Sequence, residues 1–328
     1  MVAQGAALDL LGIGNAIVDV LGSATDAWVA ERGMVKGSMA LIDTARAEVI
    51  SAELGEAIVT GGGSAANTCV AAASLGARVG FLGKVAADAL GRAFAADMEK
   101  VGVRFPTPAL TGGAPTARSF ILVHPDGQRT MNTYLGACVS FGEEDVDAAE
   151  VESAAITYLE GYLFDPPAAQ AAFRKAAAIA HAAGRQVSMT LSDPFCVGRH
   201  RDAFRAFIAA DCDILFANEA EALSLFETND LDVAIRGLSG MAGLVALTRS
   251  EHGSLVIAGP QVVEVKAVPT TVIDTTGAGD AYAAGFLAAH ARGLPAAECG
   301  RWGSVAAAEA ISHFGARPQT DLRTLIAA

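Results

Sequence analysis

Asp280 follows Gly277-Ala278-Gly279 where the extended stretch VPTTVID gives way to a run of Ala, Gly and aromatic residues. Glycines let the backbone turn tightly and leave no Cβ over the amides, so successive N–H groups can face an anion at a helix's positive end. A carboxylate beside such an anion hole has one natural task, taking the proton from a hydroxyl that attacks a phosphoryl group. The same letters also suit a plain helix start with Asp in its first turn. Asn15 and Asp19 form a second group after the apolar stretch Leu8–Ile13. Asp19 sits within AIVDVLG, where an unpaired carboxylate is costly; it either meets a polar substrate or is satisfied by turn amides. Asn218 and Glu221, three residues apart, share a helical face directly after DILFA, although a helix N-terminus favours Glu for dipole reasons alone. The guanidinium of Arg129 suits neutralising a transferring phosphoryl group, and equally a solvated strand position.

These residues need a scaffold, and the apolar pattern supplies one. Leu8–Ile13 is dense in apolar residues, as in a strand buried on both faces of a parallel sheet. Residues 78–83, 156–160, 186–190, 214–216 and 244–248 read as further strands, and 255–258 with 262–266 as a terminal hairpin. Helices are expected near 43–54, 88–100, 167–182, 200–209, 219–226, 230–239 and 296–313. Alternation at this spacing argues for βαβ units covered on both faces, whose ligands collect at the strands' carboxyl ends. Segments 16–42 and 103–136 hold short extended pieces, among them Arg118–Val123 and Arg129–Tyr134 joined by the turn His124–Gln128. They are expected to build a small sheet acting as a lid on one principal domain, residues 1–328.

The chain is 52% apolar and carries a formal charge of −13, from 36 acids against 23 bases. That balance opposes binding to nucleic acid or an anionic membrane. Alanine accounts for much of the mean hydropathy of +0.38, and no uninterrupted apolar run reaches the roughly 18 residues of a membrane span. The five cysteines are scattered and never spaced as CxxC, which fits a reducing compartment. A soluble, cytoplasmic protein with a small-molecule substrate is expected.

DTTGAGDAYAAGF resembles the C-terminal signature of the ribokinase-like, or PfkB, family of sugar and nucleoside kinases. Gly61-Gly62-Gly63-Ser64-Ala65-Ala66-Asn67 resembles its N-terminal signature, in the expected order and roughly two hundred residues upstream. The resemblance implies an α/β, ribokinase-like fold: a three-layer α/β/α core with a small β-sheet lid. It implies ATP-dependent phosphorylation of the 5′-hydroxyl of a ribonucleoside, adenosine foremost, with inosine, guanosine or a sugar as alternatives. In that reading Asp280 is the base, Gly277, Ala278 and Gly279 form the anion hole, and Arg129 lies on the substrate side of the lid. GIGNAIVD resembles the first loop of the adenosine-kinase-like members, so Asp19 receives two vicinal ribose hydroxyls while Asn15, Gly62, Gly63, Ser64 and Asn67 hold the sugar. Met39, Met131, Thr133, Tyr162 and Leu163 fall where a base would lie. Asn218-Glu219-Ala220-Glu221 resembles the family's NxxE element, which acts through water on magnesium. Thr248 to Gly253 resembles its TxGxxG nucleotide loop, with Ser250 in place of the first glycine. Thr276 and His313 complete the ATP contacts so implied, and Asp274 is a candidate for holding potassium; His313 equally suits a helix C-cap. The same likeness implies a monomer, with pairing through lids as the alternative. Two other classes compete. A dinucleotide-dependent dehydrogenase would need the third glycine that GIGNAIVD lacks, and a silent binding sensor would have little use for Asp280 beside an anion hole.

Overall fold

Strands whose consecutive side chains are all apolar can be buried only between two layers, and the architecture follows from that. The computed structural model describes residues 5–126 and 128–327. Its strands, in chain order, are β1 (Leu8–Ile13), β2 (Ile17–Ser23), β3 (Met39–Leu41), β4 (Ala57–Gly62), β5 (Val79–Leu82), β6 (Val103–Arg104) and β7 (Ala117–Val123). They continue as β8 (Arg129–Tyr134), β9 (Ala154–Glu160), β10 (Gln186–Thr190), β11 (Ile214–Asn218), β12 (Leu244–Thr248), β13 (Ser254–Ala258) and β14 (Gln261–Val265). One sheet has the order β14-β13-β12-β11-β10-β9-β1-β5-β6. It is parallel from β12 to β6, with β13 and β14 antiparallel at one edge.

Alternate residues of each central strand enter opposite cores. Leu215 and Ala217 of β11 pack with the helices Pro167–Ala182, Pro194–Asp211 and Glu219–Phe226. Ile214 and Phe216 pack on the other face with the helices Ser64–Ser74, Ala278–His290 and Ala296–Ala310. The result is the expected three-layer α/β/α core. The Ala and Gly content of the last two helices has a packing cause: a Cβ on Gly285 would collide with the backbone of Trp302, so small residues let the two helices approach closely. Among the described residues no helix is long and apolar enough to cross a membrane.

The second sheet has the order β3-β8-β7-β2-β4. It differs in two places from the segments 16–42 and 103–136. Its edge strand β4 comes from residues outside both, because Gly61 and Gly62 interrupt the pattern of a strand while still pairing with Val18 and Ile17. Val103–Arg104 instead pairs with β5 in the large sheet, since Val103 is buried in the core beside Phe81 and Phe94. The helix expected near 200–209 begins earlier, at Pro194, where Asp193 caps it, and is kinked at His200. Gly127, in the turn between β7 and β8, lies outside the described residues.

Candidate active site

The carboxyl ends of β1, β9, β10, β11 and β12 open into one cavity of about 810 Å³, roofed by the small sheet. Asn15, Glu160, Thr190, Asn218 and Thr248 stand at those strand ends. The roof is partly apolar, with Met39 and Met131 as register partners on β3 and β8, and Leu41 and Ile121 beside them.

Two helix N-termini enter the cavity behind glycines, which have no side chain to cap them. Gly63 precedes Ser64–Ser74 with φ +96°, and Gly277 precedes Ala278–His290 with φ +77°. Both torsions belong to the left-handed region that glycine adopts at little cost. A Cβ at Gly279 would meet open space, so the first turn of the second helix is unobstructed toward the cavity. Uncapped amides, a helix dipole and an open approach fit an anion such as a phosphate.

Asp280 lies in that first turn, where its Oδ1 accepts a hydrogen bond from Ser64 Oγ at 2.6 Å and its carboxyl is also hydrogen-bonded by the Asn67 side chain. The carboxyl borders the cavity and is half-buried. Burial pushes it up to about 6, against the lowering effect of those two hydrogen bonds. Asp19 comes from β2 of the small sheet, opposite Thr60 and Ser119. A Cβ on Gly62 would collide with its carboxylate, which explains a glycine there even though Gly62 itself does not line the cavity. Burial pushes Asp19 up to about 7, with Arg317 and Arg129 pulling it down and Asp280 adding to the rise. Among the described residues no side chain or amide donates to the Asp19 carboxylate.

Asn15, Asp19, Met39, Gly63, Ser64, Asn67, Met131, Thr133, Tyr162, Asn218, Glu221, Thr248, Thr276, Gly277, Ala278, Gly279 and Asp280 all line the one cavity. Leu163 does not, being buried in the core. Gly253 forms the left-handed end of a turn leading into β13. Ser250, standing for glycine in that loop, takes φ +49° and so keeps a glycine-like turn with a non-glycine residue. His313 rests against Glu309 at 3.2 Å, away from the cavity wall.

Arg129 is engaged elsewhere: its Nη1 pairs with Asp274 Oδ2 at 2.8 Å and its guanidinium lies over the Phe314 ring. Asp274 Oδ2 also accepts from the Gly315 amide at 2.9 Å, and Oδ1 accepts from the amide and hydroxyl of Thr276. These donors, one of them a guanidinium, occupy the carboxylate expected to hold potassium. Asn218 and Glu221 form a reciprocal capping box: Asn218 Oδ1 accepts from the Glu221 amide, and Glu221 accepts from the Asn218 amide and Nδ2. Burial pushes Glu221 up to about 7.

Glu160 escaped notice in the sequence. Its Oε1 accepts from Asn15 Nδ2 at 2.7 Å and its Oε2 from the Ala65 amide at 2.8 Å, so it orients a cavity residue and caps Ser64–Ser74. The available signal was the one used for Asn218, a polar residue closing an apolar strand. Phe195 also lines the cavity and is 79% exposed, an aromatic face unused by the core.

A model of the pfkB family carbohydrate kinases matches residues 34–322. The structure superposes on adenosine kinase from Sinorhizobium meliloti with a TM-score of 0.90, at 49% identity, covering 97% of this chain and 98% of that one. It superposes on a probable sugar kinase protein from Rhizobium etli with a TM-score of 0.91, at 44% identity and 97% of both chains. A nucleoside kinase from Methanothermobacter thermautotrophicus is 28% identical over 256 residues, 77% of this chain and 79% of that protein.

Proposed function

The chain belongs to the pfkB family of carbohydrate kinases and is a phosphotransferase with an alcohol acceptor; from that premise we propose that it transfers a phosphoryl group from ATP to the 5′-hydroxyl of a ribonucleoside, with adenosine the preferred acceptor. The observation that carries this reading is the placement of two differently prepared carboxylates on one cavity. Among the described residues no group donates to Asp19, and its two acceptor oxygens suit a vicinal diol. Asp280 stands in the first turn of an uncapped helix, where a hydroxyl proton can be taken beside an anion.

Asn15, Gly63 and Asn67 surround the same end of the cavity and would hold the sugar, with Met39, Met131 and Phe195 offering apolar and aromatic surface to a base. Gly277, Ala278 and Gly279 would receive the transferring phosphoryl group with main-chain amides. Magnesium bound with ATP would neutralise phosphate charge, and Asn218 and Glu221 are the residues that would hold its water shell. Between them the chain's own groups position two reactants and remove one proton. The small sheet would serve as a lid, because it contributes Asp19, Met39 and Met131 to the cavity while resting on the rest of the domain. A cytoplasmic role in recovering purine nucleosides is part of this reading, supported by five free, buried cysteines.

The similarity to a probable sugar kinase favours a second reading, with a free sugar as acceptor. Initial rates with adenosine, inosine, guanosine, cytidine, ribose and fructose at matched subsaturating concentrations separate the two. Adenosine should give the highest kcat/KM, and 2′-deoxyadenosine should fall about tenfold or more as Asp19 loses a hydroxyl partner. A preference for ribose or fructose over every nucleoside overturns the nucleoside assignment.

A further inference from the structure

Arg317 comes from the segment after the last long helix and reaches into the fold between β4, the helix Ser64–Ser74 and the helix Ala89–Lys100. Its side chain is 16% exposed. Nη1 pairs with Asp97 Oδ2, and Nε donates to Asn67 Oδ1 at 3.2 Å. Nη2 is buried with no hydrogen-bond acceptor among the described residues. A Cβ on Gly61 would reach Nη2, so the backbone of β4 is stripped to glycine where the guanidinium crosses it.

Arginine has only donors, and this decides the orientation of Asn67. With Oδ1 facing Arg317, the amide must present its Nδ2 donors elsewhere, and Asn67 is hydrogen-bonded to the Asp280 carboxylate. A flipped amide would set Oδ1 against that carboxylate and lose both interactions. Arg317 is also the largest favourable charge acting on Asp19, ahead of Arg129 and opposed by Asp280.

We propose that Arg317 is a positioning residue for phosphoryl transfer, which fixes the Asn67 amide so that it donates to Asp280. This rests on the role given above to Asp280. Lysine at this position keeps the charge and loses the fork; glutamine loses the charge. R317Q should lower kcat/KM by about tenfold or more, the scale of a lost charge-assisted hydrogen bond. The acid limb of its pH profile should move to higher pH, because Asp280 without the Asn67 hydrogen bond holds a proton longer. R317K should lose kcat severalfold and shift the acid limb in the same direction by less, since an ammonium keeps the charge but cannot bond Asn67 and Asp97 in the same geometry.

The measurement is kcat and kcat/KM against pH from 5 to 9 for the three proteins, with melting temperatures alongside and the acceptor that wild type turns over fastest. That choice keeps a wrong acceptor assignment separate from a wrong role for Arg317. A folded R317Q with the wild-type pH profile and rate overturns the proposal. Should the glutamine variant not fold, R317K decides alone: an unchanged kcat or an unmoved acid limb overturns the orienting role, and a lowered kcat with the acid limb at higher pH supports it.

Discussion

Glu160→Gln isolates the cost of holding an ionised carboxylate beneath the cavity floor. Glu160 is 1% exposed, and burial raises it from 4.5 to about 7 despite hydrogen bonds from the Ala65 amide and Asn15. A group raised in the folded state stabilises most below its ordinary range, and that contribution disappears as pH rises through about 7. Linkage over this shift gives the wild type about 2 kcal/mol on acidification from pH 8 to 5.5. At roughly 2.1 cal/mol/K of unfolding entropy per residue, a chain of 328 residues gains about 3 °C in Tm from this group. Glutamine cannot titrate and contributes no such gain. It also turns a donor toward either Ala65 or Asn15, which costs about 1–3 kcal/mol at every pH. Thermal unfolding of both proteins at pH 8 and 5.5, without ligand, reads the difference. E160Q should be closest to wild type at pH 8 and fall behind by about 3 °C more at pH 5.5. A gap of equal size at the two pH values refutes the reasoning, because Glu160 would then be ionised throughout.

Asp280→Asn should lower kcat by about 10² or more while preserving nucleoside binding, and the wild-type rate should fall below about pH 6 as Asp280 takes up its proton; near-normal turnover in this variant excludes it as the base. Gly279→Val projects into open space and should leave Tm nearly unchanged while abolishing most phosphoryl transfer, whereas Gly277→Ala meets Ala316 at φ +77° and should cost stability as well. Full activity in a folded G279V would show that the loop does not hold the phosphoryl group. Glu221→Gln should raise the magnesium concentration needed for half-maximal rate more than it changes the KM for nucleoside; superimposable magnesium titrations would reduce Asn218 and Glu221 to a helix cap.

What the sequence revealed and what it concealed divide along a physical line. The strands β1, β9, β10, β11 and β12 were legible because a strand buried on both faces must be apolar throughout, and the strand-end rule then placed Asn15 and Asn218 at the cavity without any knowledge of contacts. Asp280 was legible because its meaning is local: glycine, helix start and carboxylate lie within four residues. The strand β4 was hidden by Gly61 and Gly62, whose small size serves partners that are distant in sequence, Arg317 and Asp19. For Arg129 the sequence carried the residue type but not the partner. Its type suits a phosphoryl group, and in the fold it also pairs with Asp274 at 2.8 Å. Arg317 carries no local signature, and that of Glu160, a polar residue closing an apolar strand, does not say what it holds. Each acts through an amide, Asn15 or Asn67, whose orientation is set by whether a donor or an acceptor faces it, and that choice exists only once strands far apart in the chain have been brought side by side. The chemistry of this fold is therefore written locally in the residues that would touch substrate, while the residues that aim them are recognisable only from the hydrogen bonds they make.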